Sequence, residues 1–590
     1  MSDETRHRII VGVDYGTTYT GASFVSARSQ DTNSIALITS WPRLGHGTET
    51  FIKTPSRIAY AAENGGKEGW GFAVESEMVA YSWTKLLLDR NTPITRFDGA
   101  LEEASGMGIF RLPPERNAVH VVGDYLSKVY QHILHCLAKE ITEEILQITP
   151  LEFWFTVPAM WSDQAKHATS QAARLAGFGG RPERPEDTIS LVPEPEAAAI
   201  AAIRKTTTDG MGFSVKPDDG VLVCDCGGGT VSIQTVYPAL TFEELCPGTG
   251  GKCGSTAIDR NFYIFMKRRF GQAFESLPCQ KIGPGSLLMN KFEIVKQAFG
   301  TTPEDTVHEL PLHMKLSTAD PKHYNSTDRV VLISEKDLSS LFAPVVKKIL
   351  ALVRAQIKDA KKQRGRDVID RIILVGGFGS SEYLRNVFID EFERPTSKIK
   401  VTVPHNAQAA IVHGAALRAL EGICPRTIRC RRHYGYSKSL LFVEGVHSEA
   451  DAWVDLFTDN KYAGGFVQWM TKKGQELESG YVQSWDTFRS HRDGDNLVYK
   501  SGLYSSDATL TPWRLDHKGV RKIGDITVDF ANVDLAVFPC RMVSHKKVYK
   551  LQYSHNVIFG AQEGVLHFEA RANGQIIGQT SIDFAQALYY

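Results

Sequence analysis

The residues best suited to chemistry lie in two short segments of the same design. The first is Ile9-Ile10-Val11-Gly12-Val13-Asp14-Tyr15-Gly16-Thr17-Thr18-Tyr19-Thr20-Gly21, an apolar run that reaches an acid, a glycine and two threonines. The second, Val221-Leu222-Val223-Cys224-Asp225-Cys226-Gly227-Gly228-Gly229-Thr230-Val231-Ser232-Ile233, repeats that order with three consecutive glycines. An Asp at a strand end can hold a hydrated divalent cation, and Thr hydroxyls can reach phosphate oxygens. Glycine permits unusual backbone angles and removes side-chain bulk, so backbone N–H groups can close on an anion. Two such hairpins suggest two related halves clamping one nucleotide. One glycine-rich hairpin alone is compatible with a simple tight turn. The inference rests on four features in order: Asp14-Tyr15-Gly16-Thr17-Thr18, Pro193-Glu194-Pro195-Glu196-Ala197-Ala198-Ala199, Asp225-Cys226-Gly227-Gly228-Gly229-Thr230 and Val375-Gly376-Gly377-Phe378-Gly379-Ser380-Ser381. The chain lacks GxxxxGK[ST], which removes a P-loop, and has no GxGxxG after its first strand, which weakens a dinucleotide site.

The elements that must position these residues follow from periodicity and caps. Residues 8 to 25 read as strand, tight turn and strand. Residues 35 to 61 are strand-like, with a break at Thr54-Pro55-Ser56. Apolar residues at Val122, Leu126, Val129, Ile133, Leu137, Ile141 and Ile145 predict one long amphipathic helix over residues 119 to 147. A buried strand ends at Pro158, and Ser162 is placed to cap a helix running to about Phe178. An alanine-rich helix is expected from Ala197 to Ile203. Ser334 and Asp337 form a capping box for a helix reaching about Lys362. Arg371 to Val375 reads as a strand leading through glycines into a helix start, and Ala407 to Leu420 as a small-residue helix. This alternation signals an α/β domain. After Gly422 the texture changes to a basic connector and then to short strands, with Asn573-Gly574 as a hairpin turn.

The composition is that of an ordinary globular protein: 590 residues, 42% hydrophobic and 23% charged. That length calls for two or more domains. Lys plus Arg and Asp plus Glu balance at 67 each, so bulk charge favours neither nucleic acid nor an anionic membrane as partner. Nine cysteines without paired CxxC motifs argue against a zinc ribbon and read as reduced thiols. Cys224 and Cys226 flank Asp225 and read as small residues sharing one strand face. The polar start, Met1 to Arg8, lacks the apolar core of a signal peptide, and no run of about 18 apolar residues occurs. A cytoplasmic location without a membrane span is expected.

The four features resemble the nucleotide-binding domain of the actin-like ATPase superfamily, and within it the seventy-kilodalton heat-shock chaperone family. Phe155-Thr156-Val157-Pro158-Ala159 with Ser162-Asp163-Gln164, the run Leu191 to Ile200, and His413-Gly414-Ala415-Ala416 extend the likeness over roughly residues 8 to 421. The resemblance implies an α/β fold: a two-lobed actin-like ATPase domain of duplicated ribonuclease-H-like halves at 8–422. Lobe I would span about 8–204 and lobe II about 220–422, followed by a β-rich C-terminal domain at 423–590. It implies ATP or ADP with Mg2+ as ligands. Asp14 and Asp225 would hold the metal through water. Gly16, Thr17, Thr18, Tyr19, Gly227, Gly228, Gly229 and Thr230 would cradle the phosphates. Lys85, Glu194 and Thr230 would serve catalysis. Glu293, Lys296, Gly376 and Gly377 would meet the nucleoside.

Three departures from the family pattern stand out. Ser232 occupies a position where an Asp is usual, which bears on hydrolysis more than on binding. Gly379-Ser380-Ser381 and Gln297 stand where arginines are usual, which removes a stacking partner for adenine. The tail shows neither the acidic–leucine linker nor the helical lid, as in the atypical branch of the family that lacks the standard peptide clamp. The expected function is a MgATP-binding, slowly ATP-hydrolysing chaperone-like protein. Its lobe closure would control a protein partner or client through the C-terminal domain, with no nucleic acid involved. A nucleotide-sensing scaffold without turnover is the alternative. A small-molecule kinase of the same superfamily is a further one, although no carboxylate base for it is evident.

Overall fold

The computed structural model of the chain describes residues 7–29, 31, 34–43, 50–89, 111–181, 187–208, 219–237, 243–316, 320–404, 406–422, 427–430, 432–478, 481–558 and 567–580. The chain divides into two compact units, Met1–Cys424 and Pro425–Tyr590. Part of the basic connector, and the strand residues expected before His567 and after Thr580, lie outside the described residues.

In the first unit the hairpin Ile9–Tyr15 and Tyr19–Ser26 pairs antiparallel, with Asp14 opposite Gly21. Every residue of Ile9–Tyr15 is buried, because a parallel strand, Leu151–Val157, covers its other edge and helices cover its faces. Thr188–Pro193 continues the sheet in parallel. The second hairpin, Gly220–Cys226 and Val231–Tyr237, sits in a sheet of the same pattern. Glu243–Gly251 lies antiparallel on one side, and Ile369–Val375 and Lys400–Thr402 lie parallel on the other. Each sheet thus runs from antiparallel strands into parallel ones, and the parallel joins require helical crossovers.

The helices Glu194–Thr208 and Ala410–Glu421 pack on one another through small residues, Ala197, Ala198, Ala415 and Ala416, all buried. A buried ion pair, Arg418 Nε to Glu196 Oε1 at 2.9 Å, joins them. Ser162 caps Asp163–Leu175 by accepting from the Ala165 N–H, and the Ser334–Asp337 capping box opens Glu335–Arg364.

Two expectations need correction. The helix expected over 119 to 147 is two helices, Ala118–Ile141 and Glu143–Ile148. Thr142 takes φ 69°, a left-handed value costly for a β-branched residue, and the next residue of the apolar period, Ile145, is 44% exposed while its neighbour Leu146 is buried instead. The break expected at Thr54-Pro55-Ser56 narrows to Ser56, where the chain leaves the strand Thr54–Pro55 and enters Arg57–Ala59 of a separate sheet. Thr54–Pro55 pairs with Tyr19–Thr20 as a short edge strand, where the missing proline N–H costs little.

The second unit is antiparallel. One sheet orders Ala452–Val454, Lys461–Thr471, His433–Leu441, Val498–Ser506 and Val520–Asp529. The other orders Val482–Arg492, Lys546–Ile558, His567–Ala572 and Gln575–Thr580. Asn573 and Gly574 turn the last hairpin with φ 50° and 77°, as a two-residue primed turn requires. Its core holds Tyr436, Leu503, Ile526, Phe530, Leu551 and Val557.

Candidate functional site

A cleft of about 640 Å³ opens in the first unit, and every residue proposed from sequence lines it. Asp14, Gly16, Thr17, Thr18 and Tyr19 come from the first hairpin; Asp225, Gly227, Gly228, Gly229 and Thr230 come from the second. Lys85, Glu194, Glu293, Lys296, Gly376 and Gly377 complete the set. The two turns are closed by matching bonds, Gly16 N–H to Tyr19 O at 3.1 Å and Gly227 N–H to Thr230 O at 3.0 Å. They also face each other closely. A Cβ added at Gly229 would stand 2.2 Å from Thr17 Oγ1, and one at Gly228 would stand 2.3 Å from Thr18 Oγ1. Only glycine leaves backbone N–H groups accessible at that approach. Gly376, at φ 85°, meets the same limit from the third strand end, because its Cβ would fall 2.5 Å from Asp225 Oδ1.

Three buried carboxylates and two lysines set the electrostatics. Lys85 Nζ donates to Glu194 Oε1 at 2.6 Å with both side chains buried, and the ammonium lies 5.5 Å from the Trp161 ring centre. Lys85 is held at the 3-10 turn Thr84–Leu87, and Glu194 opens its helix, where the dipole favours an acid. Lys53 Nζ donates to Asp14 Oδ2 at 2.5 Å, and Thr156 Oγ1 donates to Asp14 Oδ1 at 2.8 Å. Burial alone would raise the Asp14 pKa, but the Lys53 and Lys85 charges outweigh it and hold it below the usual carboxylate range. Glu194 is pushed up by burial against the pull of Lys85. Asp225 is pushed well up, first by burial and then by the charges of Glu194 and Asp14. Its Oδ1 is buried without a hydrogen-bond partner, as is the hydroxyl of Ser232, which pairs with Asp225 across the hairpin.

At the other end, Lys296 Nζ bridges Asp259 Oδ1 at 2.7 Å and Glu293 Oε2 at 2.6 Å. Burial would lower the Lys296 pKa, yet the two acids raise it overall and keep the ammonium charged. Gln297 donates to Glu293 Oε1 at 2.9 Å, and Ser380 and Ser381 line the cleft beside it.

Lys53, Thr156 and Asp259 were not apparent from sequence. Lys53 sits in a strand-like stretch with no local motif, and Asp259 reads as an ordinary helix acid. Only their contacts with Asp14 and Lys296 distinguish them. Cys224 and Cys226 share one buried strand face, as expected, with sulfurs 3.6 Å apart.

The donor set fits a hydrated hard cation. It offers carboxylate oxygens, an orphaned Asp225 Oδ1 and a glycine cradle for phosphate. Among the described residues no three His, Cys, Asp or Glu side chains gather into an all-protein metal site. Water and phosphate would therefore supply most of the ligands, as magnesium prefers. Among the described residues no helix is long and apolar enough to cross a membrane.

Comparison with known proteins identifies the family. The Hsp70 protein family model matches residues 119–423. Heat shock 70 kDa protein 12A of Homo sapiens is 22% identical, over 92% of this chain and 88% of that protein. Heat shock 70 kDa protein 12B of Homo sapiens is 23% identical, over 74% of this chain and 72% of that protein. The chaperone protein dnaK of Cyanophora paradoxa is 25% identical, over 62% of this chain and 54% of that protein. With the family match spanning the second hairpin and the strand end at Gly376, this chain belongs to the Hsp70 family, on a divergent branch of low identity.

Proposed function

We propose that the first unit binds MgATP in this cleft and hydrolyses it slowly by in-line attack of water. Closure of two lobes, duplicated halves of one actin-like plan, would control a protein partner engaged through the C-terminal unit. The observation that carries the reading is the convergence of two Asp-ended, glycine-turned hairpins on one cleft, with a buried Lys–Glu pair beside them.

The roles follow from the chemistry. The turn N–H groups of Gly228 and Gly229 and the hydroxyls of Thr17, Thr18 and Thr230 receive phosphate oxygens, while Gly16 shapes the first turn. Asp14 and Asp225 hold a magnesium ion through water, and that ion, when bound, neutralises phosphate charge. Lys85 offsets charge gathering on the transferred phosphoryl group. Glu194, whose pKa burial raises, would orient the attacking water and accept its proton. Glu293 and Lys296 lie toward the ribose, and the open backbone at Gly376 and Gly377 lies toward the base. Loss of an arginine stack at Ser380 and Ser381 lowers the affinity for adenine.

One observation favours a second reading, a nucleotide-sensing scaffold without turnover. Ser232 places a neutral hydroxyl opposite Asp225, so no further carboxylate supports the cation there. Single-turnover hydrolysis of bound ATP beside a calorimetric titration separates the readings. Binding with slow turnover supports the ATPase. Binding without turnover supports the scaffold and makes Lys85 and Glu194 structural. No binding refutes both.

A further inference from the structure

Lys53 has no part in the roles assigned above, yet it is closely held in the phosphate half of the cleft. Its ammonium lies 2.5 Å from Asp14 Oδ2, and its side chain is only 14% exposed. The path it takes is built into the first hairpin. Asp14 pairs across the hairpin with Gly21, and the Lys53 stem runs through the space a side chain at position 21 would fill. A Cβ there would stand 3.0 Å from Lys53 Cγ and 3.4 Å from Lys53 Cε. The next residue, Thr54, pairs with Thr20 in the same sheet, so the base of the lysine is anchored too. The ammonium is thus placed on the oxygen that a hydrated cation would use, at the mouth of the glycine turns.

Two of the charged groups around it already have partners. Lys85 is taken by Glu194 at 2.6 Å, and the second Asp14 oxygen is taken by Thr156. Opposite Asp225 stands Ser232, which adds no charge. A polyphosphate entering this cleft would meet Lys53, beside Lys85, already delivered to the metal position on a tether whose burial and partner cost no further ordering. A charged N–H donor to phosphate oxygen is among the stronger hydrogen bonds available in proteins.

We propose that Lys53 is a built-in cation that takes over the charge-neutralising role of the divalent ion, so that this cleft binds a nucleoside triphosphate without metal. The inference rests on the nucleotide-binding reading above. It makes Lys53 a determinant of metal dependence: magnesium, where present, competes with the ammonium for Asp14 instead of supplying the main attraction.

The test is a calorimetric titration of the full chain with ATP, once with excess magnesium and once with excess EDTA. Wild type should bind in both, with affinities within about tenfold of each other. Lys53→Met keeps the stem and removes the charge. It should lose about ten- to a hundredfold in EDTA, the value of one hydrogen bond to a charged group. It should lose much less with magnesium. Lys53→Arg should keep metal-free binding, and thermal melts of both variants check that the fold survives. Wild-type binding that vanishes in EDTA, or a Lys53→Met variant with the same metal dependence as wild type, overturns the proposal. No binding in either buffer refutes the nucleotide reading itself, and this inference with it.

Discussion

Replacing Asp225 by Asn tests the electrostatics of the cleft most directly. Without nucleotide, the Asp225 carboxyl is buried and one of its oxygens has no partner. Burial, then the charges of Glu194 and Asp14, push its pKa well above the usual value. A carboxyl whose folded pKa exceeds its unfolded value, about 3.9, binds more protons in the folded state between those two values. Stability is therefore lost as pH rises through that window, and the whole loss is present above the folded pKa. Asparagine keeps the shape and cannot ionise. Near neutral pH the nucleotide-free variant should be the more stable by about 1–2 kcal/mol, the usual gain from relieving a functional site. The gain should fade as pH drops toward the unfolded pKa. Unfolding entropy of about 2 cal/mol/K per residue over Met1–Cys424 turns this into a melting-temperature rise of about 1–2 °C. With MgATP at about a hundred times its Kd, wild type gains about 2.7 kcal/mol by mass action. That exceeds the gain from the substitution, so the order of stabilities should invert. Thermal melts and urea titrations, with and without MgATP and across pH, read this out. A variant less stable without nucleotide, a pH-independent difference, or an order that never inverts would refute the reasoning.

Two further outcomes are expected. Lys85→Met leaves Glu194 buried without its partner and should cost about 3–5 kcal/mol, whereas Lys85→Met with Glu194→Gln should cost clearly less than the two singles combined. Additive costs in urea denaturation would show that the 2.6 Å pair is not coupled. In the second unit, Asp455 accepts from the Phe457 and Thr458 N–H groups and from the Thr458 and Ser490 hydroxyls. Burial would raise its pKa, but these bonds outweigh it and lower the value. Its stabilisation is therefore present above the unfolded pKa and lost as pH falls through the folded one. Asp455→Ala should destabilise that unit by about 2 kcal/mol at neutral pH, with the difference narrowing in acid. A constant difference across pH would count against the carboxylate's role.

Much of the candidate site was legible in the sequence because its main devices are local. An Asp, a glycine turn and a Thr within five residues define a hairpin whatever surrounds it. The Ser334 capping box and the Asn573-Gly574 turn were equally readable, since each is closed by bonds between near neighbours. Local pattern also ran the helix over 119 to 147 through Thr142, because the apolar period continues there while the helix breaks and restarts with Leu146 rather than Ile145 inward.

The residue types and their order determined that two phosphate-type turns exist and that acids end the strands leading into them. Tertiary structure alone decided which charges those acids meet. Lys53 reaches Asp14 from 39 residues away, Thr156 from 142, and Lys85 finds Glu194 across 109. Pairing at such distances depends on how sheets stack and which side chains lose water together, and no local spacing encodes that. The same burial leaves one Asp225 oxygen unpartnered and pushes its carboxyl upward. The sequence therefore specified the acidic groups, and the packing specified which way their proton affinities shift.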